Sequence, residues 1–443
     1  MKIQLSDHFT YKRLLRFCLP SIVMMVFTSI YGVVDGLFVS NFVGKIPFAA
    51  INLVMPFNMI LGGFGFMIGT GGSALVAKTL GEGKQELANR YFSMLILTTV
   101  LLGVVLTVLG ISLAKPVAIF LGATDAMLEH CVTYLRTVLI FIVAFMLQNV
   151  FQSFLVTAQK PHTGLMVTVA AGVTNMVLDA LFIGVFRWGV AGAALATGIS
   201  QCIGGILPLF LFLGKNDSLL HLVRTPLELA PFLRSCANGA SELMTNISAS
   251  LVSMLYNFQL LKYAGENGVA AYGVLMYLQF IFVAVFFGYT IGTSPVIGYH
   301  YGAGNHKELK NLLNMSLRLT LTAGIIMMIL ANLLAQPLAH IFVGYDPQLF
   351  AMTKAAFHIF SLSFLVCGEN IFTSSFFTAL NNGVVSAAIS FLRTLVFQVG
   401  CVLILPSLLG LNGIWISNTI SDLMALVISL SFLFALRKRY HYA

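Results

Sequence analysis

Twelve times between Leu14 and Leu436 the chain passes through a predominantly apolar run longer than the ~20 residues a helix needs to cross a bilayer, and polar breaks separate the runs. The expected spans are 14–43, 47–80, 89–115, 126–158, 162–186, 190–214, 231–262, 268–302, 308–335, 347–379, 384–408 and 411–436. Composition agrees: 58% of the 443 residues are hydrophobic and only 9% are charged, far from the usual composition of a soluble domain. The residues left between the runs cannot build a soluble domain, so all function must lie in an all-α membrane bundle.

The net charge of +9 does not mark a nucleic-acid surface, because the basic residues form no continuous patch. Seventeen of the 24 Lys and Arg, including Lys2, Lys84, Arg90, Lys160, Lys215, Lys307 and Arg437, lie before span 1, after span 12, or around the loops after even-numbered spans. By the positive-inside rule both termini are cytoplasmic, and the chain is expected to be a multi-pass protein of the plasma (bacterial inner) membrane. The first run is ~30 residues without a small-residue cleavage site, so it reads as a retained span. The six Cys are isolated and show no CxxC pairing, which argues against disulfide and zinc roles.

The two halves repeat. Gly69-Thr70 answers Gly292-Thr293, Gly81-x-Gly83 answers Gly302-x-Gly304, and Asn149 falls on Asn370. Six spans per half leave the halves in the same orientation, as parallel repeats about an axis along the membrane normal. This predicts an amino lobe over 1–214, a polar linker over 215–230 and a carboxy lobe over 231–443. Pro20, Pro56, Pro208, Pro295 and Pro406 fall inside spans, where each removes a backbone donor; Pro20 is the expected hinge.

A few polar residues interrupt the apolar runs. Asn175 and Asp179 are one helical turn apart and share a helix face. If the chain reverses at Arg187–Val190, Asp179 and Thr197 each lie ~10 Å from the turn. Asp35, about eight residues from the outer end of span 1, reaches a similar depth. A carboxylate near mid-membrane costs ~2.5–3.5 kcal/mol, so it normally faces a polar cavity or a partner. Carboxylates, an amide and a hydroxyl at one level form a hard-oxygen cluster suited to Na+, or a low-dielectric site that holds a proton; the residues alone do not choose between them. A second acidic group lies toward the cytoplasmic side: Glu242 in span 7 and Glu369 in span 10, with Gln148 matching Glu369 through the repeat. Asp422 and Arg393 are candidates for a structural pair. The nine His have no metal spacing, and no catalytic motif is present, so no enzyme activity and no cofactor are expected.

Several strings, in this order and spacing, resemble the multidrug and toxic compound extrusion (MATE) family, in its bacterial and archaeal branch. They are Pro20 with Asp35 fifteen residues later, then Phe38-Val39 and Gly44; "NMVLDALFI" running into "GVAGAALAT"; "YHYGAGNHKEL" after span 8; and "LNGIWISNTISD" in span 12. The resemblance implies two six-helix lobes forming a V, and inward flow of sodium or protons driving outward flow of drugs by alternating access. It matches Asp35, Asn175, Asp179 and Thr197 to the family's amino-lobe cation site. Glu242 and Glu369 resemble acidic carboxy-lobe positions of some branches, although "GENIFTSSFFTALNN" departs from the usual pattern of that helix. The implied partners are small amphipathic cations, with membrane lipids around a monomer. The rival readings are a flippase for a lipid-linked oligosaccharide, for which the basic residues within spans (Arg136, Lys354, Arg393) are few, a passive channel, and a membrane-embedded enzyme.

Overall fold

A computed structural model describes residues 3–214 and 217–442; Lys2 and Lys215, used above to orient the chain, lie outside the described residues. In hydrocarbon every backbone N–H and C=O must be satisfied within its own segment, and the apolar runs accordingly form helices, with no strand among the described residues. In chain order they are α1 (Tyr11–Phe42), α2 (Lys45–Gly81), α3 (Gln85–Phe120), α4 (Asp125–Leu139), α5 (Ile142–Thr157), α6 (Pro161–Asp179), α7 (Gly189–Leu213), α8 (Leu229–Gly302), α9 (His306–Val343), α10 (Pro347–Phe360), α11 (Phe364–Ala379), α12 (Gly383–Phe391), α13 (Gln398–Leu409) and α14 (Leu411–Tyr440).

These make twelve spans in a V-shaped pair of six-helix bundles. α4 and α5 are one span bent by 56°. α10 and α11 join through a 3-10 turn, and α12 and α13 through a π turn. The 74 residues of α8 would run ~111 Å if straight, several membrane thicknesses. Gly265, at φ 62° and ψ −153°, breaks it into two spans, since that conformation is open essentially to glycine alone.

The repeat is written in the backbone. Left-handed turns recur at Gly83 and Gly304, Gln159 and Asn381, and Gly189 and Gly410, offsets of 221, 222 and 221 residues. An even number of spans puts both chain ends on one side, here called the terminal face. Near that face the two bundles touch backbone to backbone: a Cβ on Gly81 would collide with Tyr299 O, and one on Gly302 with Lys78 O. Gly81 and Gly302 are repeat mates, so the seam is close to symmetric.

Two further features tie this side together. The segment between α7 and α8 is held to α3, where His221 N donates to Asn89 Oδ1 (3.1 Å) and Val223 N to Ser93 Oγ (2.8 Å). The segment before α1 is anchored on α9: Glu308 accepts from Phe9 N (2.9 Å) and Asn311 Nδ2 (3.0 Å) and pairs with His8 Nδ1 (2.6 Å), while Leu5 and Phe9 are buried.

Candidate functional site

α1 and α6 both start at the terminal face and run the same way, and their register follows from one close approach. A Cβ on Gly172 would stand 2.5 Å from Phe27 Cε1 and 2.8 Å from Tyr31 Cδ1, so only glycine lets α1 lie this near. One turn beyond Tyr31 on α1 comes Asp35. One and two turns beyond Gly172 on α6 come Asn175 and Asp179. The packing thus brings Asp35 close enough to interact electrostatically with Asn175 and Asp179.

Among the described residues no donor answers Asp179. Asp179 is fully buried and neither of its oxygens has a hydrogen-bond partner; Asp35 Oδ1 and Asn175 Oδ1 are likewise buried and unpartnered. Two facing carboxylates without a donor repel each other and forfeit their hydration, so the arrangement calls for a shared proton or a bound cation. Immediately after Asp179 the helix widens into a π turn, Ala180–Val185, a feature often found at functional sites.

The cluster also takes in residues that depth along the sequence did not single out. Tyr134 of α4 lies close enough to interact electrostatically with both carboxylates. Tyr31 meets the amide of Gln148. Gln148 therefore belongs to the amino-half cluster: its side chain passes over Gly204 of α7, where a Cβ would be 2.6 Å from Gln148 Cδ. Thr197 is half-buried on α7, and its recorded bond is through its carbonyl, which accepts from Ser200 Oγ at 2.7 Å; no hydrogen bond joins its hydroxyl to Asp35 or Asp179.

Glu369 and Glu242 have different immediate partners. Glu369 turns toward α9 and accepts from Thr320 Oγ1 at 2.8 Å. Glu242 lines a small crevice with Thr290, Ser374, Ser390 and Arg393. Gln148, the repeat mate of Glu369, is in the other half. Arg393 Nε and Asp422 Oδ1 do form a buried pair at 2.7 Å. Pro20 interrupts the hydrogen-bond ladder of α1 without breaking the helix, which is continuous from Tyr11 to Phe42.

The chain belongs to the MatE family, whose model matches residues 20–181 and 243–403. It is a family of membrane transporters and not of enzymes. The chain is 22% identical over 431 residues to the multidrug export protein MepA of Staphylococcus haemolyticus (strain JCSC1435), covering 97% of this chain and 94% of that one. Its fold is similar to a crystal structure of MATE in complex with MaL6, with a TM-score of 0.93 at 22% identity across 98% of each chain. It is also similar to an outward-facing conformation of a multidrug resistance MATE family transporter of the MOP superfamily, with a TM-score of 0.92, 22% identity and 98% of each chain covered.

Proposed function

We propose that this protein is a cation-coupled antiporter that exports amphipathic, cationic compounds by alternating access. Asp35, Asn175 and Asp179 hold the coupling Na+ or H+. The observation that carries this reading is a fully buried, unpartnered Asp179 carboxylate beside the half-buried Asp35, whose Oδ1 is also unpartnered. The relatives named for multidrug export support the substrate class.

In this reading the basic terminal face is cytoplasmic, and the seam between Gly81 and Gly302 closes the protein on that side. The lobes over 1–214 and 231–443 move against each other about the 215–230 linker. A cation entering from outside neutralises the pair, α1 rearranges about Pro20, and the cleft loses affinity for its cargo. Coupling extends only as far as the cation binds the drug-free state better than the loaded one. Both walls of the cleft come from one chain, so a monomer suffices. A carrier of lipid diphosphates needs free basic groups, whereas Arg393 is engaged by Asp422 and Lys354 by Gln336.

Cells expressing the protein should accumulate less of a fluorescent cationic dye than cells expressing Asp179→Asn at equal membrane abundance. Equal accumulation in the two strains would contradict the assignment.

A further inference from the structure

From the Asp35 and Asp179 pair a buried polar stripe continues toward the terminal face on three helices at once. On α1 it runs through Tyr31 to Ser21, three residues before Met24. On α6 it runs through Asn175 and Gly172 to Thr168, spaced three or four residues apart. On α5, Gln148 lies near Tyr31 and Leu155 lies against Gly164 of α6, seven residues apart and so on one face; Gln152 lies between them. Gln148 Oε1, Gln152 Oε1 and Ser21 Oγ are all buried without a protein partner, as is Gln201 Oε1 on the neighbouring α7. Buried polar atoms in native proteins are normally paired, and a run of acceptor oxygens is the chemistry that solvates a small cation and its water.

The stripe is interrupted once. At the level of Gly164, Met24 Sδ and Leu155 Cβ lie 3.7 and 3.5 Å from where a Cβ would be, and both side chains are almost fully buried. These two apolar side chains flank Gly164, on the terminal side of Gln152 and Thr168.

We propose that Gln148 and Gln152 line a hydrated release route for the coupling cation, and that Met24 with Leu155 is its plug. The cation reaches the carboxylate pair from the open end of the V, and leaves through the interior of the amino half once α1 moves Met24 aside. The drug cleft and the cation exit are then separate paths. The ligand is a hydrated small cation, Na+ or hydronium, held by carbonyl, hydroxyl and carboxylate oxygens. This inference rests on the cation-coupled reading above.

The test uses purified protein in proteoliposomes with a Na+ or a pH gradient imposed separately, read by entrapped Na+- or pH-sensitive dyes, with and without a cationic drug-like dye. Gln152→Leu, close in volume, should slow gradient-driven dye efflux about tenfold or more while retaining equilibrium dye binding in detergent; Gln152→Asn should restore much of the rate. Met24→Ala should dissipate one gradient several-fold faster than wild type with no dye present, and adding Asp35→Asn should stop that leak. The gradient that leaks names the cation. Wild-type efflux in Gln152→Leu together with a tight Met24→Ala overturns the route, even where wild type is gradient-driven. Loss of gradient drive in wild type itself would instead remove the parent reading, and the leak assay, which needs no drug transport, still decides the route.

Discussion

The two halves of the molecule share a fold and differ in how they treat buried charge. In the carboxy half, Asp422 takes Arg393 Nε at 2.7 Å, with the two side chains 3% and 18% exposed, and Asn370 Nδ2 donates to the Asp422 carbonyl. In the amino half, Asp35 and Asp179 lie near each other, and no basic residue among the described residues pairs with them. At the 221-residue offset of Gly189 and Gly410, Asp179 falls on Gly400 and Asn175 on Val396, so the repeat carries the helices but not the carboxylate. A buried carboxylate must be compensated. Asp422 has its arginine and the pair is architectural; Asp179 has no partner among the described residues.

The comparison breaks most sharply under charge deletion. Arg393→Met leaves Asp422 buried and alone, and should destabilise the protein by about 3–5 kcal/mol, while Arg393→Met with Asp422→Leu should recover most of that loss; unfolding in detergent measures both. Asp179→Asn should do the opposite, leaving the melting temperature equal or higher because it removes one of two facing charges, yet losing efflux. A stable Arg393→Met or a destabilised Asp179→Asn would erase the distinction between the halves. The seam is where the halves are alike, so Gly81→Val and Gly302→Val should each disfavour closure of the terminal face by about 1–3 kcal/mol. Labelling of cysteines placed beside the seam should rise equally in both variants. Glu242→Gln should change gradient-driven efflux by only about twofold, since Glu242 lacks a partner carboxylate; a loss comparable to that of Asp179→Asn would show that the carboxy half carries ions too.

The spans were legible because membrane thickness sets their length, and the break between spans 7 and 8 was legible because Gly265 stands in polar sequence. The register of Asp35 with Asp179 was legible in part, since counting residues from a turn gives depth. Depth does not give the side-chain partners, so it did not show that Glu369 meets Thr320 while Glu242 lines a crevice beside Arg393. The repeat assigned Gln148 to the mate of Glu369, whereas its working neighbours are Tyr31 and Gly204. The bend between α4 and α5 carries no proline, and no local residue announced it. Gly172, which sets the approach of α1 to α6, looked like any other membrane glycine until Phe27 and Tyr31 were seen against it.

The most direct test of a cation site at Asp35 and Asp179 is efflux of a fluorescent cationic dye from proteoliposomes. A sodium gradient or a proton gradient is imposed separately on wild type and Asp35→Asn. The account predicts dye movement in wild type under a cation gradient and none in the mutant, with both proteins equally folded. Equal gradient-driven movement in Asp35→Asn would contradict it.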